Sequence, residues 1–323
     1  MAREFFARLL IGAAALALAG CDGGGSTQTS FIPPPTTTPA PTPAPAPAGA
    51  SAVTIFPQPV VGQFASAGVW TNLYSATSSE TGRFNSIDKN ASEPIIRYNA
   101  GGFYEVALPD EDFGALIHDP KILNPAPDDP FLLLFRACCG TRAFTLDNSN
   151  AGYSYSAMAT WRRNDLDFGY TIDSGVVAFG SFTAGGSIPL SGNASYEGVV
   201  AGLTDAKTFD ALSNSWLLLP AGGTVELNFD FGKGALAGQL DLSVAGGMNP
   251  IPVGTYKFAQ TVFSPGSTGY SGTFATTLTG TNFFDGLFTG PNAQETIGRW
   301  AVPFQLDGDT HQALGAWMAK AAH

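Results

Sequence analysis

From about Gly192 onward the chain alternates apolar and polar residues with a period of two, the mark of strands that bury one face. Val225, Leu227, Phe229 and Phe231 interleave with Glu226, Asn228 and Asp230; a Gly232-Lys233-Gly234 turn follows. Leu236, Leu240, Leu242 and Val244 then alternate with Gln239, Asp241 and Ser243. This predicts a hairpin, because glycine supplies the positive φ of a tight turn. Further strands are predicted over Ala194 to Gly202, at Tyr256 and Phe258, over Tyr270 to Leu278, Phe284 to Phe288, Gly298 to Phe304, and Leu314 to Met318. That makes eight, enough to close an antiparallel up-and-down barrel whose interior holds side chains or one small ligand. Inward glycines at 198, 272, 286 and 298 are expected to relieve crowding or to permit sharp coiling. One face of each clear strand carries Glu, Asn, Asp or Gln, where a lipid-facing barrel would carry an apolar band, so a water-soluble barrel is expected.

Residues 51–187 carry shorter apolar runs: Val53 to Phe56, Ile95 to Tyr98, Phe103 to Leu108, Phe131 to Phe135, and Tyr153 to Trp161. Separated by Gly, Pro and Asn, they read as short strands. Asn99-Ala100-Gly101-Gly102 reads as a turn between two of them, and Asn124-Pro125 and Asp128-Asp129-Pro130 read as loops. Arg162-Arg163, after Trp161, reads as a solvated strand end.

The N-terminus has a different pattern. Arg3 and Arg8 precede an apolar run from Leu9 to Ala19, too short to span a bilayer core of about 30 Å but suited to a signal peptide. The run ends in Leu18-Ala19-Gly20-Cys21, which resembles a bacterial lipobox; Cys21 is then the lipidated N-terminal residue of the mature protein. Asp22 follows it, the residue that favours inner-membrane retention in enteric bacteria. The outer membrane is therefore the first expectation and the inner membrane the alternative. Residues 21–50, rich in Pro, Ala, Thr, Gly and Ser, lack the means to bury a core and read as a disordered tether, extended at about 3.1 Å per residue where proline dominates.

Composition narrows the function. The 323 residues hold 15 Lys+Arg against 26 Asp+Glu, a formal charge of −11, and loss of the leader leaves the mature chain one unit more negative. Such a chain gains nothing from a phosphate backbone, which sets aside nucleic-acid binding. Three His and three Cys leave little material for a metal centre or a nucleophile–base pair. No Gly-x-Ser-x-Gly elbow occurs, no Gly-x-Gly-x-x-Gly fingerprint sits between strand and helix, and the carboxylates of Asp110 to Asp112 and Asp128-Asp129 read as solvated turns. No catalytic residues and no metal site are assigned, and the protein is not expected to be an enzyme. Cys138-Cys139 reads as two small hydrophobes at a strand end, with a strained vicinal disulfide as the alternative.

Gly286-Leu287-Phe288-Thr289-Gly290-Pro291-Asn292-Ala293-Gln294-Glu295, followed by Gly298 and Trp300, resembles the signature of the transferrin-binding protein B β-barrel family. That signature runs roughly G-x-F-x-G-P-x-A-x-E-x-G-G-x-F/W across a late barrel hairpin; Ile297 stands where its first paired Gly is expected. Ser191-Gly192-Asn193-Ala194-Ser195-Tyr196-Glu197-Gly198 resembles the family's first barrel strand, a G-x-A-x-Y-x-G pattern, and the resemblance spans about 170–323. It implies an all-β protein: signal peptide over 1–20, lipidated Cys and tether over 21–50, a β-rich handle-like domain over 51–187, and an eight-stranded barrel over 188–323. Gly286, Phe288, Gly290, Pro291, Ala293, Glu295, Gly298 and Trp300 then act structurally, with Gly290-Pro291 fixing the turn and Glu295 accepting backbone hydrogen bonds across the hairpin. It also implies a lipid-anchored, non-catalytic envelope protein that captures an iron source or protein ligand through loops: haem, a haem carrier or a transferrin-like protein. A haem-binding relative would use a loop His as axial ligand, and of His118, His311 and His323 the first is best placed. The alternative is a structural or envelope-interaction lipoprotein with no small-molecule ligand.

Overall fold

The structure is a computed structural model that describes residues 61–322 except 75–92, 102–103, 110–130, 138–139, 147–151, 166–170, 211–214 and 247–248. Cys21, the tether, the Val53 to Phe56 run, Asp110 to Asp112, His118, Asp128-Asp129, Cys138-Cys139 and His323 lie outside the described residues.

The described residues are nearly all strand. Eight form a closed antiparallel barrel: β9 (Asn193–Asp210), β10 (Ser215–Asp230), β11 (Ala235–Gly246), β12 (Asn249–Val262), β13 (Gly269–Phe274), β14 (Phe283–Thr289), β15 (Glu295–Leu306) and β16 (Asp309–Ala321). Each pairs with its neighbour in sequence, and β16 closes on β9. The alternating residues point as their pattern requires: Val225, Leu227 and Phe229 are buried inside the barrel, while Glu226 and Asn228 are exposed. One strand is shorter than its pattern. The ladder stops at Phe274 and leaves Leu278 outside it, because the Asn282 side-chain amide stands in for the next peptide group. Asn282 accepts from Phe274 N–H at 2.8 Å and donates to Phe274 C=O at 2.9 Å.

The interior glycines make room for aromatic rings. Gly272, Gly286 and Gly298 pair across the ladder with Phe284, Tyr270 and Trp317. A Cβ on Gly272 or Gly286 would come within 2.5 Å of its partner's ring, and one on Gly298 within 2.3 Å. Gly198 serves a different contact: its Cβ would meet the Met318 backbone oxygen at 2.0 Å.

The N-terminal strands form two sheets. β2 (Ala65–Tyr74), β5 (Phe131–Ala137), β6 (Gly140–Leu146), β7 (Ser156–Asp165) and β8 (Thr171–Gly180) make a five-stranded sheet in the order β2-β8-β7-β6-β5. β1 (Gly62–Gln63), β3 (Ile95–Tyr98) and β4 (Tyr104–Ala107) make a three-stranded one. The β3–β4 turn carries the Asn99 side chain, whose Oδ1 accepts from Gly101 N–H at 3.0 Å.

The five-stranded sheet lies between the small sheet and the barrel, which explains its continuous apolar run Val176-Val177-Ala178-Phe179. Val177 and Phe179 join Phe64, Ile96, Tyr104 and Trp161 on one face; Val176 and Ala178 join Met158, Ile297, Ala316 and Met318 on the other. Arg163 is not a solvated strand end. It sits directly opposite Asp173 in the β7–β8 ladder, binds that buried carboxylate at 2.7 Å, and donates to Pro109 C=O at 2.8 Å.

Candidate functional site

The signature residues occupy β14, the turn after it and β15. Gly290 has φ of +75°, Pro291 opens a short 3-10 turn, and Asn292 and Ala293 are also left-handed, at +54° and +58°. Phe288 and Trp300 fill the barrel interior, and Ala293 is capped from inside: Tyr196 Oη donates to its carbonyl at 2.6 Å. Tyr270 Oη lies 2.7 Å from Thr296 Oγ1, which in turn donates to Leu287 C=O at 2.9 Å. Burial pushes both tyrosine hydroxyls up, out of reach of any neutral-pH titration.

The outer side of the same turn is joined to the N-terminal sheets. Glu295 is only 5% exposed and accepts from Ser154 N–H at 2.7 Å and Tyr155 N–H at 3.0 Å. Its hydrogen bonds therefore run to the segment entering β7 and not across its own hairpin. The cause is the register: Glu295 opens β15 opposite Lys320, on the barrel face that the five-stranded sheet covers. Burial pushes the Glu295 carboxyl up, against the downward pull of the N–H groups it accepts from.

Around it, Ser156 Oγ meets Thr289 Oγ1 at 2.6 Å, Thr183 Oγ1 donates to Gly290 C=O at 2.6 Å, and Gly290 N–H donates to Ser181 C=O at 2.8 Å. The Tyr155 ring rests on Gly290, where a Cβ would come within 2.5 Å of it. A second clasp stands further along β15: Arg299 pairs with Asp285 at 2.8 Å and reaches Glu93 at 2.7 Å. Sequence reasoning missed Ser154, Tyr155, Ser156, Thr183 and Glu93. Their partners are over a hundred residues away, and a small polar residue carries no local sign of such a contact.

These groups form a clasp between the signature turn and the segments around 154–156 and 181–183, so the turn joins two parts of the protein. An exposed apolar surface lies beside it. Phe229, Phe231, Phe263, Tyr270 and Phe288 pack ring to ring inside the barrel at this end, and Phe258, Phe284 and Trp317 do so further in. Outside, Phe182 and Val262 stand 52% and 64% exposed at the mouth of an open recess of about 420 Å³, with Leu190 70% exposed at the same barrel end. Its lining is apolar rings and chains with Ser and Thr hydroxyls and, among the described residues, no charged side chain.

The other end holds His311, whose Nδ1 lies 3.2 Å from Asp205 Oδ1. Among the described residues, no group of three or more His, Cys, Asp or Glu side chains converges as a metal site would require.

No protein-family model and no curated protein matches the chain. Among solved structures it is similar to a mutant transferrin binding protein B from Haemophilus parasuis Hp5, at 18% identity and a TM-score of 0.44, over 79% of this chain and 44% of that one. It is also similar to isotype 1 transferrin binding protein B from serogroup B Neisseria meningitidis, at 15% identity and a TM-score of 0.40, over 80% of this chain and 43% of that one. The chain thus spans less than half the length of these two structures.

Proposed function

We propose that this chain is a lipid-anchored, non-catalytic binding protein of the bacterial envelope. Cys21 carries the anchor, the Pro-rich tether gives reach, and a protein ligand docks on the signature end of the barrel. The observation that carries this reading is the contrast between a barrel interior filled with aromatic rings and the exposed Phe182, Leu190 and Val262 outside it. A ligand taken here meets the outer surface, and exposed apolar groups beside hydroxyls suit a protein surface better than an ion. The outer membrane is the proposed location, with the inner membrane as the alternative that Asp22 raises. An iron carrier is the ligand class to try first, transferrin being the one for which the similar structures are named.

The test uses cells making the full chain. Labelled palmitate should enter the wild type and not Cys21→Ala, and saturable binding of iron-loaded transferrin or a haem carrier should be lost in Phe182→Ser/Val262→Ser. Binding that the double variant leaves intact moves the ligand to another surface. Binding of none of these carriers, nor of haemin, removes the iron-source reading. The filled interior then favours the second reading, an envelope-interaction lipoprotein with no small-molecule ligand.

A further inference from the structure

The barrel has an open seam away from the signature end. Because the ladder of β13 stops at Phe274, β12 pairs with it only from Phe258 onward, and its first half, Asn249 to Tyr256, pairs with β11 alone among the described residues. Its residues there are mostly exposed, and a polar trough of about 650 Å³ separates Val253 to Tyr256 from Ala275 to Thr277. A strand edge left open in this way presents backbone groups to any other edge, above all the same edge of a second copy.

The direction of those groups follows from the register. Ala275 N–H donates to Lys257 C=O at 2.8 Å, so Lys257 turns its backbone groups toward the seam, and by alternation so does Thr255. Leu242 pairs with Gly254 and Ser243 with Pro252, leaving Val253 as an extra residue that shifts the alternation by one. Beyond it the seam-facing positions are therefore 252 and 250, while Ile251 and Asn249 face β11 opposite Val244 and Gly246. Both seam-facing positions are proline. This stretch of edge offers carbonyl acceptors and no N–H donor, and two copies of it have nothing to exchange.

We propose that Pro250 and Pro252 guard this seam, keeping the edge of β12 from pairing with the same edge of a second copy. The test compares the full chain carrying Cys21→Ala, so that no lipid contributes, with the same chain carrying Pro250→Val/Pro252→Val. Sedimentation across a concentration series should show a monomer for the first and a concentration-dependent dimer for the second. The new amides at positions 250 and 252 should exchange at least about tenfold more slowly at high than at low protein concentration. A wild type that dimerises overturns the proposal, as does a folded double variant that stays monomeric or one that dimerises without slowing those two amides. Near-UV circular dichroism checks folding, and if the double variant fails it, Pro252→Val alone is judged by the same outcomes.

Discussion

Two walls of one barrel obey the same rule inside and opposite rules outside. Along β10 and β11 the inward residues are buried, while Thr224, Glu226, Asn228 and Ala237 are exposed on the outer face. Along β15 and β16 the inward Trp300, Val302, Phe304 and Trp317 are matched by outward Ile297, Ala301, Leu314, Ala316 and Met318, which are buried too. The difference comes from the neighbour. β2, β7 and β8 lie against the second wall, and water lies against the first. A strand's second face thus reports what stands beyond the sheet, and a barrel strand apolar on both faces marks a docked layer.

The largest effects should be indifferent to which wall is touched. Trp317→Ala on the covered wall and Phe229→Ala on the open one each leave a cavity in the same hydrophobic core, and each should cost about 3–5 kcal/mol in denaturant unfolding. Similar losses sharpen the claim that the interior is one core; a much smaller one on either side breaks it. A charge on the outer face should then separate the walls. Leu314→Asp places a carboxylate between Val69 and Ala301 and should cost about 3 kcal/mol, whereas Ala237→Asp, in water, should stay within about 0.5 kcal/mol.

The clasp comes next. Glu295→Ala leaves the N–H groups of Ser154 and Tyr155 without their acceptor and should cost about 1–3 kcal/mol. Its pH dependence has a definite sign. Burial raises the folded-state pKa of Glu295 above its ordinary 4.5, so the native state holds this proton to higher pH than the unfolded chain does. The stability linked to that proton is complete below 4.5 and is lost as pH rises through the raised value. Wild type should therefore lose stability relative to Glu295→Gln as pH climbs out of the acid range, and parallel midpoint-against-pH curves would contradict this. The smallest effect belongs to the open wall, where Glu226 stands directly opposite Glu197. Glu226→Lys should stabilise by about 0.5 kcal/mol or less, an effect that salt should erase.

Much of the barrel was legible in the chain because period-two alternation follows directly from pleating. The hairpin at Gly232 to Gly234 and the late signature turn needed only their glycines and proline. The end of β13 was harder to read: the side chain that terminates the ladder, Asn282, lies eight residues past Phe274, and nothing near Leu278 announces it. The candidate site was legible only from inside. The signature gave Gly286, Phe288 and Trp300 their places in the core, but Glu295 looked like a hairpin residue until its partners at 154 and 155 came into view.

The amino-acid sequence alone determined how the barrel strands alternate and where their tight turns fall, since each depends on neighbours a few residues apart, but it did not announce β2, β6 or β8. Tertiary structure decided what covers the outer face of β15 and β16, which residues meet in the clasp, and that among the described residues β12 keeps an open edge with Pro250 and Pro252 upon it. Those outcomes depend on contacts between segments far apart in the chain, and a buried apolar or polar side chain looks the same in sequence whichever distant surface receives it.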